Sequence, residues 1–81
     1  MKDITSYNDE GKPHGYWEWY LSNGMLSCNG NYIDGVRNGY WEGYYPNGKL
    51  NYKGNFINGK YIGCWEEYYP NSKIQSKQFF I

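Results

Sequence analysis

One glutamate recurs every 24 residues along this 81-residue chain, at Glu18, Glu42 and Glu66. Two carboxylates can hydrolyse a glycosidic bond when one is an acid and the other a base, about 6.5–9.5 Å apart in inverting enzymes. Repeated positions have equivalent environments, so nothing would make one glutamate the acid and another the base. Glutamates on alternate strands would also be about 10 Å from each other. We therefore expect a column that is solvated or paired across strands with Lys53 and Lys77. A stripe that binds a partner is the alternative, and catalysis is the least favoured reading.

Few other residues have chemistry that would serve an active site. His14 is the only histidine, no nucleophile pattern accompanies it, and it is the repeat equivalent of Asn38, which predicts a junction residue. Cys28 and Cys64 occupy unrelated repeat positions, so two free thiols are expected rather than a disulfide. No set of ligands has a spacing typical of metal sites. The sequence predicts neither an enzyme nor a protein with a metal or another cofactor.

These residues belong to a 24-residue repeat that fills most of the chain. Trp17, Trp41 and Trp65 coincide when the copies are aligned, and the alignment needs no gaps. A period of this length indicates one supersecondary unit that becomes stable by stacking on its neighbours. We predict one domain with four parts: an N-terminal cap or partial repeat at 1–14, repeats at 15–38 and 39–62, and a truncated, terminal repeat at 63–81.

The composition favours strands and turns. The chain has 4 Trp, 11 Tyr and 3 Phe but no Ala, and Gly and Asn are abundant. Such a balance disfavours helices, and the many aromatics argue against disorder. In one copy, Gly39–Tyr45 and Lys49–Ile57 are predicted strands that flank a Pro-Asn-Gly turn, and Asn58-Gly59 predicts a tight hairpin. The predicted fold is therefore all-β, an elongated antiparallel meander of about three stacked hairpins, with Ile4–Tyr7 as a candidate for an additional edge strand.

Strand alternation divides the side chains between two faces. The apolar side, here called the tryptophan face, is predicted to carry Trp17, Trp19, Leu21, Leu26, Tyr32, Trp41, Tyr45, Leu50, Tyr52, Phe56, Trp65, Tyr69, Ile74 and Phe80. Gly30 and Gly54 lie on it too, where they would leave room for a ring against the backbone. The opposite, tyrosine/glutamate face is the predicted partner-binding site, because tyrosine is enriched at interfaces. Its predicted binding residues are Tyr16, Glu18, Tyr20, Tyr40, Glu42, Tyr44, Glu66 and Tyr68; Cys64 shares this face.

The distribution of charge is uneven although the net charge is zero. Residues 1–35 carry two lysines against five acidic residues, for −3, and residues 36–81 carry six basic against three acidic residues, for +3. Nucleic-acid binders have a basic face, and neither that nor a basic groove beside the aromatics is evident. The first residues lack the apolar core of a secretory signal, and no segment is apolar enough to span a membrane. We expect a cytoplasmic protein that binds neither nucleic acid nor membrane.

The units GYWEGYYPNGKLNYKGNFINGK and GCWEEYYPNSKI resemble the MORN-type repeat, and in particular its bacterial variant. The resemblance covers roughly residues 15–81, with the pattern's glycines present at Gly24, Gly30, Gly48 and Gly54 and replaced by Ser72 and Gln78 in the last copy. It implies an elongated, curved sheet of hairpins that serves as a binding platform without catalytic residues. Bacterial members of the variant are often antitoxins or immunity proteins, which bind and silence a partner encoded beside them.

We expect a non-enzymatic module that neutralises a protein partner, such as a toxin or a host enzyme, by occlusion. A phage or mobile-element inhibitor of a host defence protein is the first alternative. A structural or membrane-surface scaffold is the second, although the chain has no polybasic patch. A homodimer packed through the tryptophan face is also left open by the sequence.

Overall fold

Six strands follow one another along residues 3–81, the part of the chain that the computed structural model describes. Each strand pairs antiparallel with the next, so their order in the sheet is their order in sequence. This confirms the predicted all-β meander of three hairpins. The strands are β1 (Gly15–Tyr20), β2 (Leu26–Ile33), β3 (Val36–Tyr44), β4 (Leu50–Ile57), β5 (Lys60–Tyr68) and β6 (Ile74–Phe80).

The sheet is a single layer that measures 41 × 37 × 10 Å. It is nearly as broad as it is long, because strands of six to nine residues are about as long as six strands are wide. Elongation was predicted for the repeat architecture, and three hairpins do not yet produce it. All specific contacts must therefore be made by the two faces or the rim of one sheet.

The turns that join successive hairpins are as tight as predicted. Asp34 and Gly35 have φ of 49° and 85°, and Asn58 and Gly59 have φ of 51° and 79°. Two successive residues of positive φ form the two-residue turn whose twist matches that of the flanking strands. These turns fix the register between hairpins.

The turns within hairpins are of another kind, although two of them also contain Asn-Gly. The N–H of Tyr45 donates to the carbonyl of Lys49 at 2.8 Å, and the N–H of Gly48 donates to the carbonyl of Tyr45 at 2.8 Å. Asn47 accepts the N–H of Lys49 at 2.9 Å, and only Gly48 has positive φ. Pro46 and Asn47 therefore occupy the two central positions of a type I turn, the first of which suits proline. Gly48 completes a loop of three residues.

A β-bulge follows each of these loops and corrects one prediction. The register shifts between Gly43 and Tyr44, so that Leu50 pairs with Tyr44. Cross-strand partners project from the same side of a sheet. Strict alternation had assigned Leu26, Leu50 and Ile74 to the tryptophan face, which was wrong: they pair with Tyr20, Tyr44 and Tyr68.

The core is a row of aromatic rings that links the repeats on the tryptophan face. Trp41 is fully buried, and Trp17, Phe56 and Trp65 are nearly so. A Cβ atom built on Gly30 would lie 2.0 Å from the Trp41 ring. A Cβ atom built on Gly54 would likewise lie 2.1 Å from the Trp65 ring. Both tryptophan rings therefore lie against glycine backbone of the preceding hairpin, as predicted.

Three further contacts on this face were not predicted. A Cβ on Gly43 would lie 1.9 Å from the Tyr52 ring, so this glycine also admits a ring. Arg37 lies over Trp41 with its guanidinium carbon 4.8 Å from the ring centroid. Tyr61, its repeat equivalent, lies 4.6 Å from Trp65. These residues explain how a single-layer sheet buries its tryptophans.

Residues 3–14 cover the β1 edge without adding a strand. Ile4 and Glu18 exchange backbone hydrogen bonds at 2.9 Å, but this is an isolated bridge, so the candidate edge strand at Ile4–Tyr7 was wrong. The carbonyl of Ser6 instead accepts the N–H of His14 and the indole N–H of Trp17, both at 2.9 Å. Those bonds turn the segment back and place the Tyr7 ring 5.2 Å from Trp17.

Candidate protein-binding face

The predicted site residues of the tyrosine/glutamate face are alternate residues of β1, β3 and β5. Each of these strands carries its glutamate two residues before a tyrosine, and β1 and β3 also have a tyrosine two residues before the glutamate. Residues two apart on a strand share a face. The predicted site residues are therefore brought together in short groups along single strands.

The first two groups are carboxylates held between two hydroxyls. Tyr16 and Tyr20 donate to the two carboxylate oxygens of Glu18, each at 2.6 Å. Tyr40 and Tyr44 donate to those of Glu42 at 2.8 and 2.7 Å. We call each Tyr-Glu-Tyr group a clamp. Hydrogen bonds to an ionised acceptor are the strong ones, so the clamps fix both rings and carboxylates.

The third group differs from the clamps. Cys64 stands where the first tyrosine would be, and Tyr68 alone donates to Glu66, at 2.7 Å. Two lysines form ion pairs with the same carboxylate: Lys53 Nζ lies 3.4 Å from Glu66 Oε1, and Lys77 Nζ lies 3.4 Å from Oε2. The predicted pairing of the glutamate column with lysines is confirmed for Glu66.

The glutamates and lysines belong to one row that crosses all six strands. The strand register makes each member the partner of the next. The row consists of Glu18, Asn29, Glu42, Lys53, Glu66 and Lys77. Within residues 3–81, neither Glu18 nor Glu42 has a cationic atom within 4.0 Å. The row is thus acidic at the β1 end and neutralised at the β6 end.

The pKa values follow from these contacts. Hydrogen bonds from Tyr16 and then Tyr20 lower the pKa of Glu18 below its ordinary value of 4.5. Burial and then the hydrogen bond to Glu18 raise the pKa of Tyr16 from 10.0 to about 12. Burial and then the bond to Glu42 raise the pKa of Tyr44 to about 12 as well. The hydroxyls therefore remain neutral donors and Glu18 remains ionised over the whole physiological range.

The surface of this face is largely aromatic. Tyr16 is 43% exposed and Tyr40 is 46% exposed, and the other predicted site residues are half-buried. Sequence reasoning missed Asn29, which lies between the two clamped glutamates. The available signal was the repeat column itself, in which Lys53 and Lys77 are the equivalents of Asn29.

Other candidate chemistry lies elsewhere or is absent from the described residues. His14 Nδ1 accepts the N–H of Asp34 at 3.1 Å and lies 3.6 Å from the Asp34 carboxylate, so His14 is a junction residue. The part of the chain from residue 3 onward contains no pocket and no cluster of three or more potential metal ligands. Cys28 and Cys64 are free thiols, as predicted. In the same part of the chain there is no helix that is long and apolar enough to cross a bilayer.

Comparison with known proteins identifies the repeat. A profile described as MORN repeat variant matches residues 13–34, 37–58 and 61–81. Successive matches begin 24 residues apart, each two residues before a repeat boundary predicted from the sequence. No curated protein and no solved structure matched the chain.

Proposed function

This chain belongs to the MORN repeat variant family, and we propose that it is a non-enzymatic module that binds a protein partner through its tyrosine/glutamate face. MORN repeats often serve as modules that bind proteins or membranes, and they are not an enzyme family. What supports the choice of this face is the presence of the two clamps, which hold four tyrosines and two carboxylates ready on a nearly flat surface.

The clamps suit protein recognition for two reasons. A tyrosine ring covers a large area with few rotatable bonds, and its hydroxyl is already hydrogen-bonded, so little side-chain entropy is lost when a partner packs on it. The carboxylates add charge that can select a basic partner. The tryptophan face is less suited, because its rings lie against backbone and are covered by Arg37 and Tyr61.

In the finer form of the proposal, binding neutralises the partner by occlusion, as an antitoxin or immunity protein does, and the partner is a toxin or a host enzyme. We place the activity in the cytoplasm, because two free thiols suit a reducing compartment. The sheet offers one broad face and no pocket among its described residues, which favours steric blocking over chemistry on the partner. An inhibitor of a host defence protein would use the same face.

The proposal is tested by replacing one clamp in the full chain and measuring binding to a partner identified by affinity capture and mass spectrometry. The substitutions are Tyr40→Ala and Glu42→Gln together. We expect at least a tenfold loss of affinity, because a packed ring and a charge are both removed. The fold should persist, since Trp41 and the glycine beneath it are unchanged.

The matched control replaces a tyrosine and a glutamate of the same spacing on the tryptophan face. Glu67 accepts the indole N–H of Trp65 at 3.1 Å and pairs with Tyr52, and Tyr69 follows two residues later. Glu67→Gln and Tyr69→Ala together should leave the affinity within about twofold. Binding that survives in the clamp variant and falls in this control would show that the partner uses the tryptophan face.

A further inference from the structure

The cross-strand row allows the three hairpins to be compared at one equivalent position. Asn29, Lys53 and Lys77 hold the same place in the three hairpins, each opposite the glutamate of the preceding strand. Both lysines are turned to Glu66, one on each of its oxygens, at 3.4 Å. The chain itself therefore shows that a glutamate of this row binds cations from the neighbouring strands. In the first hairpin the equivalent cation is replaced by a neutral amide.

Two negative charges consequently flank a neutral residue. Asn29 is the register partner of Glu18 on one side and of Glu42 on the other. Strands that are two apart place these glutamates about 10 Å from each other, close to the Debye length of about 8 Å at physiological ionic strength. Lys53 is the nearest cation in the row, and its contact is with Glu66. A cation above Asn29 would be attracted by both carboxylates.

The clamped carboxylates retain the capacity to bind such a cation. An ionised carboxylate offers about four acceptor positions, and the two hydroxyls of a clamp use two of them. Glu66 shows that the remaining positions are usable, because its Oε1 accepts from Tyr68 and also contacts Lys53. Because the hydroxyls already fix the carboxylates, binding orders few additional torsions.

An arginine fits this position better than a lysine does. Its planar guanidinium presents five donors, so one group can bond to carboxylates on both sides, and its face stacks on aromatic rings. The exposed rings of Tyr16 and Tyr40 lie on the two strands that flank Asn29, each two residues before the glutamate that pairs with it. We propose that the position above Asn29, between Glu18 and Glu42, receives an arginine side chain of the protein partner. This inference rests on the proposed function and deepens it.

The test is a titration of the ¹⁵N-labelled full chain with N-acetyl-arginine amide, followed by NMR. The neutral isostere N-acetyl-citrulline amide is the matched probe, since it differs in charge and keeps the shape. We expect saturable shifts of the Asn29 side-chain amide and the Glu42 backbone amide, with a dissociation constant on the order of 1–10 mM for so small a ligand. The citrulline amide should give at least tenfold weaker shifts. Equal responses to both probes, or shifts spread over the whole sheet, would overturn the inference.

Variants of Asn29 sharpen the test. Asn29→Lys supplies the missing cation from within the chain and should abolish the saturable shift of the Glu42 backbone amide, the reporter that remains in this variant. Asn29→Gln changes size alone and should keep it, and Ser22→Lys adds the same charge in an exposed turn and should also keep it. Undiminished arginine binding by the lysine variant would contradict the proposal. If that variant does not fold, the comparison of the two probes on the unsubstituted chain still decides.

The converse substitution opens a second position. Lys53→Asn removes the cation between Glu42 and Glu66, so arginine amide should then also shift the amides around Tyr68.

Different experimental results would refute the proposed function and the proposed arginine site. If the arginine probe does not bind but the clamp variant has reduced affinity for the partner, only the proposed arginine site is wrong. If the captured partner is insensitive to the clamp substitutions, the face itself is wrong.

Discussion

The two faces of this sheet are built on different principles. On the tryptophan face, the tryptophan rings that lie on glycines join one hairpin to the next: Trp41 lies on Gly30, and Trp65 lies on Gly54. On the tyrosine/glutamate face, each clamp joins residues of a single strand, such as Tyr40 and Glu42. The first face therefore holds the repeats together, whereas either clamp on the second can change in its own strand without disturbing its neighbours. Glu66, in contrast, is paired with lysines of both adjacent strands. Because each clamp lies within one strand, selection for binding can change its residues without changing the contacts between repeats.

The largest effect should come from filling the space beneath a tryptophan. A Cβ on Gly54 would lie 2.1 Å from Trp65 Cε3, with further ring atoms close by. Because that ring is buried, it cannot move away without opening the core, and we expect Gly54→Ala to destabilise the fold by about 3 kcal/mol. Urea unfolding followed by tryptophan fluorescence would measure the loss.

Gln78 provides the control for that substitution, because it occupies the same repeat position in β6. Gln78 is exposed. Gln78→Ala should therefore change stability by no more than about 0.5 kcal/mol. Equal stability of the two variants and the unsubstituted chain would mean that the interlocking of the tryptophan face is not what holds the repeats.

A moderate effect is expected in the last hairpin turn. Ser72 has φ of 73°, where the equivalent Gly24 and Gly48 have 86° and 85°. A non-glycine residue in this left-handed region costs about 1 kcal/mol, so Ser72→Gly should stabilise the protein by that amount. Thermal unfolding would show a rise of about 4–8 °C in Tm.

The reverse change in the first hairpin is the matched comparison. A Cβ on Gly24 would meet nothing within 4 Å, so Gly24→Ser introduces backbone strain without a clash. It should lower stability by about 1 kcal/mol. A Tm that does not move in either variant would show that the loops adapt and that their glycines are not needed.

The smallest effect should be a dependence on alkaline pH that arises from the tyrosine/glutamate face. The pKa of Tyr16 and that of Tyr44 are raised to about 12 in the folded protein. A raised pKa means that their contribution to stability is complete below the unfolded value of about 10 and is lost as the pH rises toward 12. Unfolding midpoints in urea should fall over this window.

The double variant Tyr16→Phe and Tyr44→Phe isolates that contribution, because it removes both titrating hydroxyls and keeps both rings. Its urea midpoint should depend less on pH between about 10 and 12 than that of the unsubstituted chain. Identical pH profiles would contradict the assignment. Groups outside the two clamps that titrate there are present in both proteins and cancel in the comparison.

The 24-residue period was enough to predict the meander, the two faces and the two glycines beneath tryptophans. These follow from alternation and turn chemistry, which are local in sequence. Alternation failed at Leu26, Leu50 and Ile74 because a bulge inserts one residue and reverses the side from which the next side chain projects. Arg37 and Asn29 were missed because their neighbours depend on the register between strands, which only the folded sheet defines.

The most direct test of the two-face account is a single spectrum of the ¹⁵N-labelled protein with its captured partner bound. The indole N–H groups report on the tryptophan face, and the side-chain amides of Asn29 and Asn55 report on the opposite one. Partner binding should shift or broaden the two amide signals and leave the indole signals of Trp41 and Trp65 in place. Perturbed indole signals with unchanged asparagine amides would contradict it.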